Sequence, residues 1–241
     1  LINGEPMSHP DLAAVNFNAI PVTLLQSIDV QTGSYGVRYG DGAVGGVINF
    51  NTFPSNQNTQ TISTTLGSYD TQGIFALLNH VDKNNWRYRL QGGYRTSDHY
   101  RDHNRERLGQ FSASLLKAFE SGQFAMQYDT QSRHNQYPGA LTRAQMRQNR
   151  RQVENPLSKD YFAQSLQNLQ ARDIHVFDDA TRLQLASRLS QMTGHGILTN
   201  PFSTNRHAID IDPTVSIDQT LLGKQAAILI GSDFRYGRYR F

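Results

Sequence analysis

The chain has 241 residues, no cysteine, 37% hydrophobic residues and a formal net charge of +3. Without cysteine there are no disulfide frameworks, Cys-ligated zinc sites or Cys nucleophiles, and so slight a charge excess gives no footing for nucleic-acid binding. No apolar run approaches the roughly eighteen residues of a transmembrane helix, a test that a membrane β-barrel escapes because only alternate strand residues face lipid.

Residues 1–53 are glycine-rich and low in charge, and no signal-peptide pattern opens them. Pro21 predicts a short helix over Val22–Gln26, and Ile28–Val30 reads as a strand. Gly33 to Gly46 then holds six glycines in fourteen residues. Within it, Gly40-Asp-Gly42-Ala-Val-Gly45 has the G-x-G-x-x-G spacing of a dinucleotide loop. That chemistry needs a helix after the glycines to receive the pyrophosphate. Here the strand-like Val47-Ile48-Asn49-Phe50 follows, Pro54 blocks a helix, and no Gly-Lys-Ser/Thr completes a P-loop. The glycines therefore predict tight turns and close backbone packing. The segment 52–60, TFPSNQNTQ, reads as a linker.

Beyond it, period-two alternation is the main signal. Trp86, Tyr88, Leu90, Gly92 and Tyr94 share one face, against Arg87, Arg89, Gln91, Gly93 and Arg95. Phe124, Met126 and Tyr128 oppose Ala125, Gln127 and Asp129, and Leu183, Leu185 and Leu189 oppose Arg182, Gln184 and Arg188. Ile209, Ile211, Val215 and Ile217 oppose Asp210, Asp212, Thr214 and Ser216. This predicts about nine strands, near 60–67, 72–81, 86–96, 107–119, 122–133, 160–176, 180–192, 207–219 and 225–240. The sixth alternates poorly and is open to a partly helical reading.

After the short first connection, GSYD, tight turns alternate with long loops: DKNN, 97–106, ESG, 134–160, FDDA, 193–206 and LLGK. Outer-membrane barrels segregate loop lengths in this way, with short periplasmic turns and long external loops. A soluble sandwich has no cause to do so. An arginine facing lipid at mid-bilayer costs roughly 2–4 kcal/mol. Arg87, Arg89 and Arg182 are therefore expected to face inward, with Trp86, Tyr88, Tyr94, Phe111, Phe119, Tyr128 and Tyr236 outside as aromatic girdles.

The opening stretch also resembles the end of the plug domain of TonB-dependent outer-membrane receptors. The residues that carry the likeness are Asn3-Gly4, Ile20-Pro21, Ile28-Asp29-Val30, Tyr39-Gly40, Gly42-Ala43, Gly45-Gly46 and Ile48-Asn49. The resemblance implies an all-β membrane barrel. The C-terminal part of a plug (1–53) passes through a linker (54–60) into the first nine or so antiparallel strands (61–241) of an incomplete 22-stranded β-barrel. It implies a piece of a larger receptor, without the TonB-binding segment, in the outer membrane of a Gram-negative bacterium. Gly33, Gly36, Tyr39, Gly40, Gly42, Ala43, Gly45, Gly46 and Asn49 become structural plug positions, the glycines pressed against the inner barrel wall. Thr32-Gly33-Ser34 stands where the family usually has Arg-Gly-Pro, which removes an arginine that often locks plug to barrel.

With tight turns toward the periplasm, the external loops carry the candidate ligand contacts Arg95, His99, Arg101, His103, His134, Tyr137, Arg143, Arg147, Arg150 and Arg151. Thr142 is placed to cap a short helix that gathers the last four arginines near one face. Paired guanidinium donors suit carboxylate-bearing ligands or, equally, lipopolysaccharide phosphates. The stretch YPGALTRAQMRQNRRQ resembles the third external loop of ferric-chelate receptors. The expected function is import of an anionic ferric chelate of siderophore or citrate type, with TonB–ExbB–ExbD, outer-membrane lipid and lipopolysaccharide as partners. No enzymatic activity, cofactor, metal site or nucleic-acid partner is expected. The alternatives are a small outer-membrane barrel (porin, adhesin or enzyme) and a soluble all-β binding module.

Overall fold

The computed structural model describes residues 1–5, 25–39, 41–155, 159–221 and 224–240. Most of the helix expected over Val22–Gln26, together with Gly40, lies outside the described residues.

In the N-terminal part, β1 (Ser27–Thr32) and β2 (Gly46–Asn51) form an antiparallel hairpin, from Ser27 opposite Asn51 to Thr32 opposite Gly46. The β-branched residues Ile28, Val30, Val47 and Ile48 favour this extended pair. Helix α1 (Gly36–Tyr39) and a 3₁₀ turn at Asp41–Ala43 occupy the connection. Its folded form is held by the Tyr35 amide donating to the Ala43 carbonyl and the Tyr39 amide donating to the Tyr35 carbonyl. Gly46 has φ +150°, and a Cβ there would stand 2.6 Å from the Gln31 carbonyl oxygen, so only glycine fits. A Cβ at Gly36, Gly42 or Gly45 meets nothing within 4 Å. Among the described residues, close backbone contact fixes Gly46 alone of these four.

The rest is one antiparallel sheet whose strand order follows the chain. It comprises β3 (Thr59–Gly67), β4 (Thr71–Val81), β5 (Trp86–Ser97), β6 (Glu106–Phe119), β7 (Gly122–Gln136), β8 (Tyr161–Val176), β9 (Thr181–Leu198), β10 (Asn200–Leu221), β11 (Lys224–Gly231) and β12 (Phe234–Arg240). Strands β11 and β12 both pair with β10 in a single register, from Leu221 opposite Lys224 to Asn205 opposite Arg240. The break between them falls opposite Pro213, which has no amide to donate, though its carbonyl still accepts from the Ser232 amide. Nine expected strands thus become ten segments in nine strand positions. The doubtful sixth strand is regular throughout, as β8.

Two expectations about connections are corrected. The long external loop at 193–206 does not exist, because β9 and β10 continue outward as a paired hairpin and turn at Thr199, whose φ is +66°. Of the external connections of the sheet among the described residues, 98–105 and the stretch between β7 and β8 are the long ones. The latter contains helix α2 (Arg143–Gln148), opened by a capping box between Thr142 and Gln145. The helix ends at Gln148, so Arg150 and Arg151 lie beyond it instead of on its face.

The two faces of the sheet separate as the alternation predicts. Arg89 is 2% exposed and donates to the Thr52 carbonyl, which marks its face as the inner one. Arg87 shares that face by parity. Arg182, on the inner face of β9, meets Asp218 of β10 at 3.9 Å. Tyr88, Tyr94, Phe111, Phe119, Tyr128 and Tyr236 are exposed on the other face, with Trp86 in line with them.

Candidate functional site

Two regions carry functional side chains: the seam where the N-terminal part meets the inner wall, and the mouth formed by the external loops.

At the seam, Asn3 and Thr52 form the centre of a buried amide and hydroxyl network. The Asn3 Nδ2 donates to Thr52 Oγ1 at 2.9 Å and to Gln170 Oε1 at 3.3 Å, while the Thr52 amide donates to Asn3 Oδ1 at 2.8 Å. Gln127 Nε2 donates to Thr52 Oγ1 at 2.9 Å. Gln127 and Thr52 are fully buried, so their mutual bonds replace the water they lose. Two arginines of the wall grip the N-terminal backbone: Arg89 donates to the Thr52 carbonyl and Arg172 to the Asn3 carbonyl, both at 3.1 Å. Arg172 also lies over the Phe53 ring, 4.8 Å from its centroid. Asn49 Oδ1 accepts from the Gly4 amide at 2.8 Å and ties the first turn to β2.

The arginine missing from Thr32-Gly33-Ser34 is thus answered from the opposite side, with guanidiniums on the wall and acceptors on the N-terminal part. Deeper in the same face, Asp210 (2% exposed) is clamped by Arg188 Nη2 at 2.7 Å and Arg235 Nε at 2.8 Å. Glu5, itself 5% exposed, sits near this cluster. Burial, reinforced by Asp212, Asp210 and Asp233 and opposed by Arg188, pushes its carboxyl up to about 7. Sequence reading named Asn3, Asn49 and Arg89 without their contacts and gave no role to Thr52, Gln170, Arg172 or Glu5; the one available signal was the run of inward glutamines and small polar residues in β7 and β8.

At the mouth, the loops are knitted together. Arg101 donates to the carbonyls of Pro138, Gly139 and Gln152. His103 Nε2 lies 2.9 Å from the Asp160 carbonyl, and the Asp102 amide donates to the Arg151 carbonyl. The Arg151 guanidinium stands about 6 Å from the rings of both Tyr69 and Tyr100, which pack edge to face. Arg105 makes a two-pronged pair with Asp98, and that hydrogen bond holds the Asp98 carboxyl below its usual range. His99 meets Glu106 at 3.4 Å. His99 and His103 both have positive φ, so their i, i+4 spacing does not put them on one helical face.

The candidate contacts therefore divide. Arg101, His103 and Arg151 are engaged in holding loops. Arg143, Arg147 and Arg150 are exposed on or beside α2, with no carboxylate partner among the described residues. Arg95 points from the inner face of β5 toward the same end, and Tyr137 begins the loop, half-exposed, its amide donating to the Asp160 carbonyl. His134 is not with them: it lies on the outer face of β7, stacked on Tyr161, which in turn meets His195 edge-on. A strand residue one position from Arg133 must face the other way.

Comparison with known proteins agrees with this architecture. Residues 1–47 match the family model described as the TonB-dependent Receptor Plug Domain. The vitamin B12 transporter BtuB of Vibrio cholerae serotype O1 is 40% identical over 75 residues, 31% of this chain and 12% of that protein. Among solved structures, the unliganded ferric citrate transporter FecA superposes with a TM-score of 0.79 at 19% identity, covering 98% of this chain and 39% of FecA. The ferripyoverdine receptor of Pseudomonas aeruginosa gives 0.74 at 12% identity, covering 90% of this chain and 33% of that receptor. The chain spans about an eighth of BtuB and about two fifths of FecA. A plug-domain match over residues 1–47 thus leads directly into a β-wall that shares the fold of these receptor structures.

Proposed function

We propose that this chain is part of a receptor that captures an anionic ferric chelate at its external mouth and imports it with energy from TonB–ExbB–ExbD. In this reading residues 1–53 close the lumen as the end of the plug, 54–60 link, and 61–241 build the first part of the barrel. The observation that carries it is the contrast between engaged and unengaged cations. Arg101, His103 and Arg151 fix the loops, and the loops so fixed present Arg143, Arg147 and Arg150 without carboxylate neighbours among the described residues. A rigid frame holding exposed guanidiniums suits a ligand that brings several carboxylates. Arg95 extends the basic path toward the lumen.

Replacing Arg143 and Arg147 by alanine in the full-length receptor tests it. Uptake of ferric citrate is expected to fall at least tenfold at limiting ligand, as two charge-assisted contacts are lost; unchanged uptake rejects the reading. A second reading follows from the BtuB match: a vitamin B12-type ligand. It predicts cobalamin uptake that is indifferent to these arginines.

A further inference from the structure

The outward face of β8, the strand whose alternation is poorest in the sequence, breaks the apolar band of the wall. From the turn at Phe177, its outward residues run His175, Asp173, Ala171, Leu169, Gln167 and Ser165, of which Ala171 and Leu169 alone are apolar. The flanking strands fill the same rows with Phe124, Met126 and Tyr128 of β7 and Leu183, Leu185 and Leu189 of β9. Asp173 stands directly between Phe124 and Leu185. It lies four residues from Phe177, about 13 Å of strand, or roughly 10 Å of membrane normal at a tilt of about 40°. In the barrel reading that depth is within hydrocarbon, where an ionisable side chain is expensive and calls for a partner.

Asp173 has no hydrogen bond or ion pair among the described residues. The cation in its row, Lys117 of β6, is engaged elsewhere, 5.7 Å from the Trp86 ring centroid and donating to the Asn84 carbonyl. Strand β8 is interior to the sheet and paired along its length with β7 and β9, so no further strand of the wall can cover this face. The next outward residue, His175, is about 7 Å away along the strand. Its ring meets Phe177 edge-on, centroids 4.6 Å apart, and one ring nitrogen is a donor in either tautomer.

An acceptor and a donor two residues apart on one outward face are self-complementary. Copies in one membrane share orientation and depth, so a closed pair of them is related by a two-fold axis along the membrane normal. Set between Asp173 and His175, that axis brings each carboxylate to the other copy's imidazole and makes two equivalent contacts. The two residues differ in height by roughly 5 Å on the same tilt, within the combined reach of the side chains. Ala171 and Ser187, paired in the adjoining row, are small and allow the two sheets to approach.

We propose that the outward face of β8 is the interface of a two-fold dimer of the receptor within the membrane. Asp173 accepts a hydrogen bond from His175 of the partner subunit, and the contact is repeated reciprocally across the axis. This rests on the barrel reading of the fold and not on the identity of the imported ligand.

The test uses the full-length receptor in four forms: wild type, D173A, H175A and the exchanged pair D173H/H175D. Each is labelled and reconstituted into phosphatidylethanolamine–phosphatidylglycerol vesicles over a range of protein-to-lipid ratios, and copies per particle are counted by single-molecule photobleaching. Wild type is expected to dimerise as the ratio rises. Either alanine variant removes both symmetric contacts and weakens dimerisation about tenfold, given the usual strength of hydrogen bonds between membrane segments. The exchanged pair is expected to restore it to within a few-fold, because the two-fold axis interchanges the two positions; restoration also rules out misfolding as the cause of the alanine effect. A wild type that stays monomeric at every ratio overturns the interface, and this is the result if a lipid ammonium group or an unrelated membrane protein covers Asp173. A dimer indifferent to D173A and H175A overturns it too, as does an exchanged pair as weak as the single variants. Ferric citrate uptake by the same variants is read separately, so failure here and failure of the chelate reading are distinguishable.

Discussion

Glu5 offers the sharpest test of how the plug is seated. Its carboxyl is 5% exposed and faces Asp212, Asp210 and Asp233 on the acidic side and Arg188 and Arg172 on the basic side. Burial and the aspartates raise it from 4.5 to about 7. The seated form therefore keeps a proton that the detached form gives up. Below pH 4.5 both forms are protonated and seating is at full strength; as pH rises toward 7 the detached form ionises first and seating weakens; above about 7 the loss is complete. The difference of roughly 2.5 units corresponds to about 3 kcal/mol at 1.36 kcal/mol per unit, an order-of-magnitude figure. Glu5→Gln keeps the shape and removes the titration. The measurement is hydrogen-exchange protection of the Asn3 amide, which donates to the Phe50 carbonyl at 2.9 Å. In the wild-type full-length receptor, the protection factor is expected to drop on the order of a hundredfold between pH 5 and 8. In the glutamine variant it stays flat and, at pH 8, exceeds wild type. A variant that declines in parallel with wild type would refute the assignment to Glu5.

Three further outcomes follow from named contacts. Asp210→Asn leaves Arg188 and Arg235 without their shared counter-ion in a buried site and is expected to cost about 3–5 kcal/mol, read as a lower temperature for loss of the compact barrel band in heat-modifiability gels. Arg101→Ala removes the guanidinium that donates to the carbonyls of Pro138, Gly139 and Gln152. The loop should open at a cost of about 2 kcal/mol, seen as faster tryptic cleavage after Arg143, Arg147 and Arg150, and an unchanged cleavage rate would show that other contacts hold the loop. Gly46→Ala drives a Cβ to 2.6 Å from the Gln31 carbonyl and should destabilise the β1–β2 hairpin by more than about 1 kcal/mol, measurable as lost exchange protection at Val30 and Ile48. Alanine at Gly42, where a Cβ meets nothing within 4 Å, is the matched control.

Much of the wall was legible in the sequence because one physical rule writes it. A strand between hydrocarbon and a wet lumen must alternate, and Trp86 to Tyr94 or Ile209 to Ile217 do so without interruption. The β8 segment was ambiguous because Leu166 sits on the inner face and Gln167 on the outer, reversing the pattern for one step. The region 193–206 was misread because Gly194, Gly196, Asn200 and Pro201 are turn residues by composition. Paired strands that project beyond the bilayer lose the lipid constraint and with it the alternation. Loop roles were the least legible. Nothing in the order of residues separates Arg101, which spends its donors on three carbonyls, from Arg147, which keeps them.

The seam shows why the plug's attachment could not be read from its own motif. The sequence looks unlocked at Thr32-Gly33-Ser34 because an arginine is sought on the plug. Attraction requires only opposite partners, and here the charge resides on Arg89 and Arg172 of the wall, which meet the Thr52 and Asn3 carbonyls. Backbone acceptors are present at every residue, so a lock of this kind leaves no signature in the plug. It also differs in kind from an ion pair. A carbonyl does not titrate, so Arg89 and Arg172 hold at any physiological pH, and pH sensitivity of seating concentrates in Glu5. Because Arg172 also faces Glu5, loss of its guanidinium should push the Glu5 carboxyl further up and steepen the fall in seating between pH 5 and pH 8. Replacing Glu5 alone should remove the slope between them.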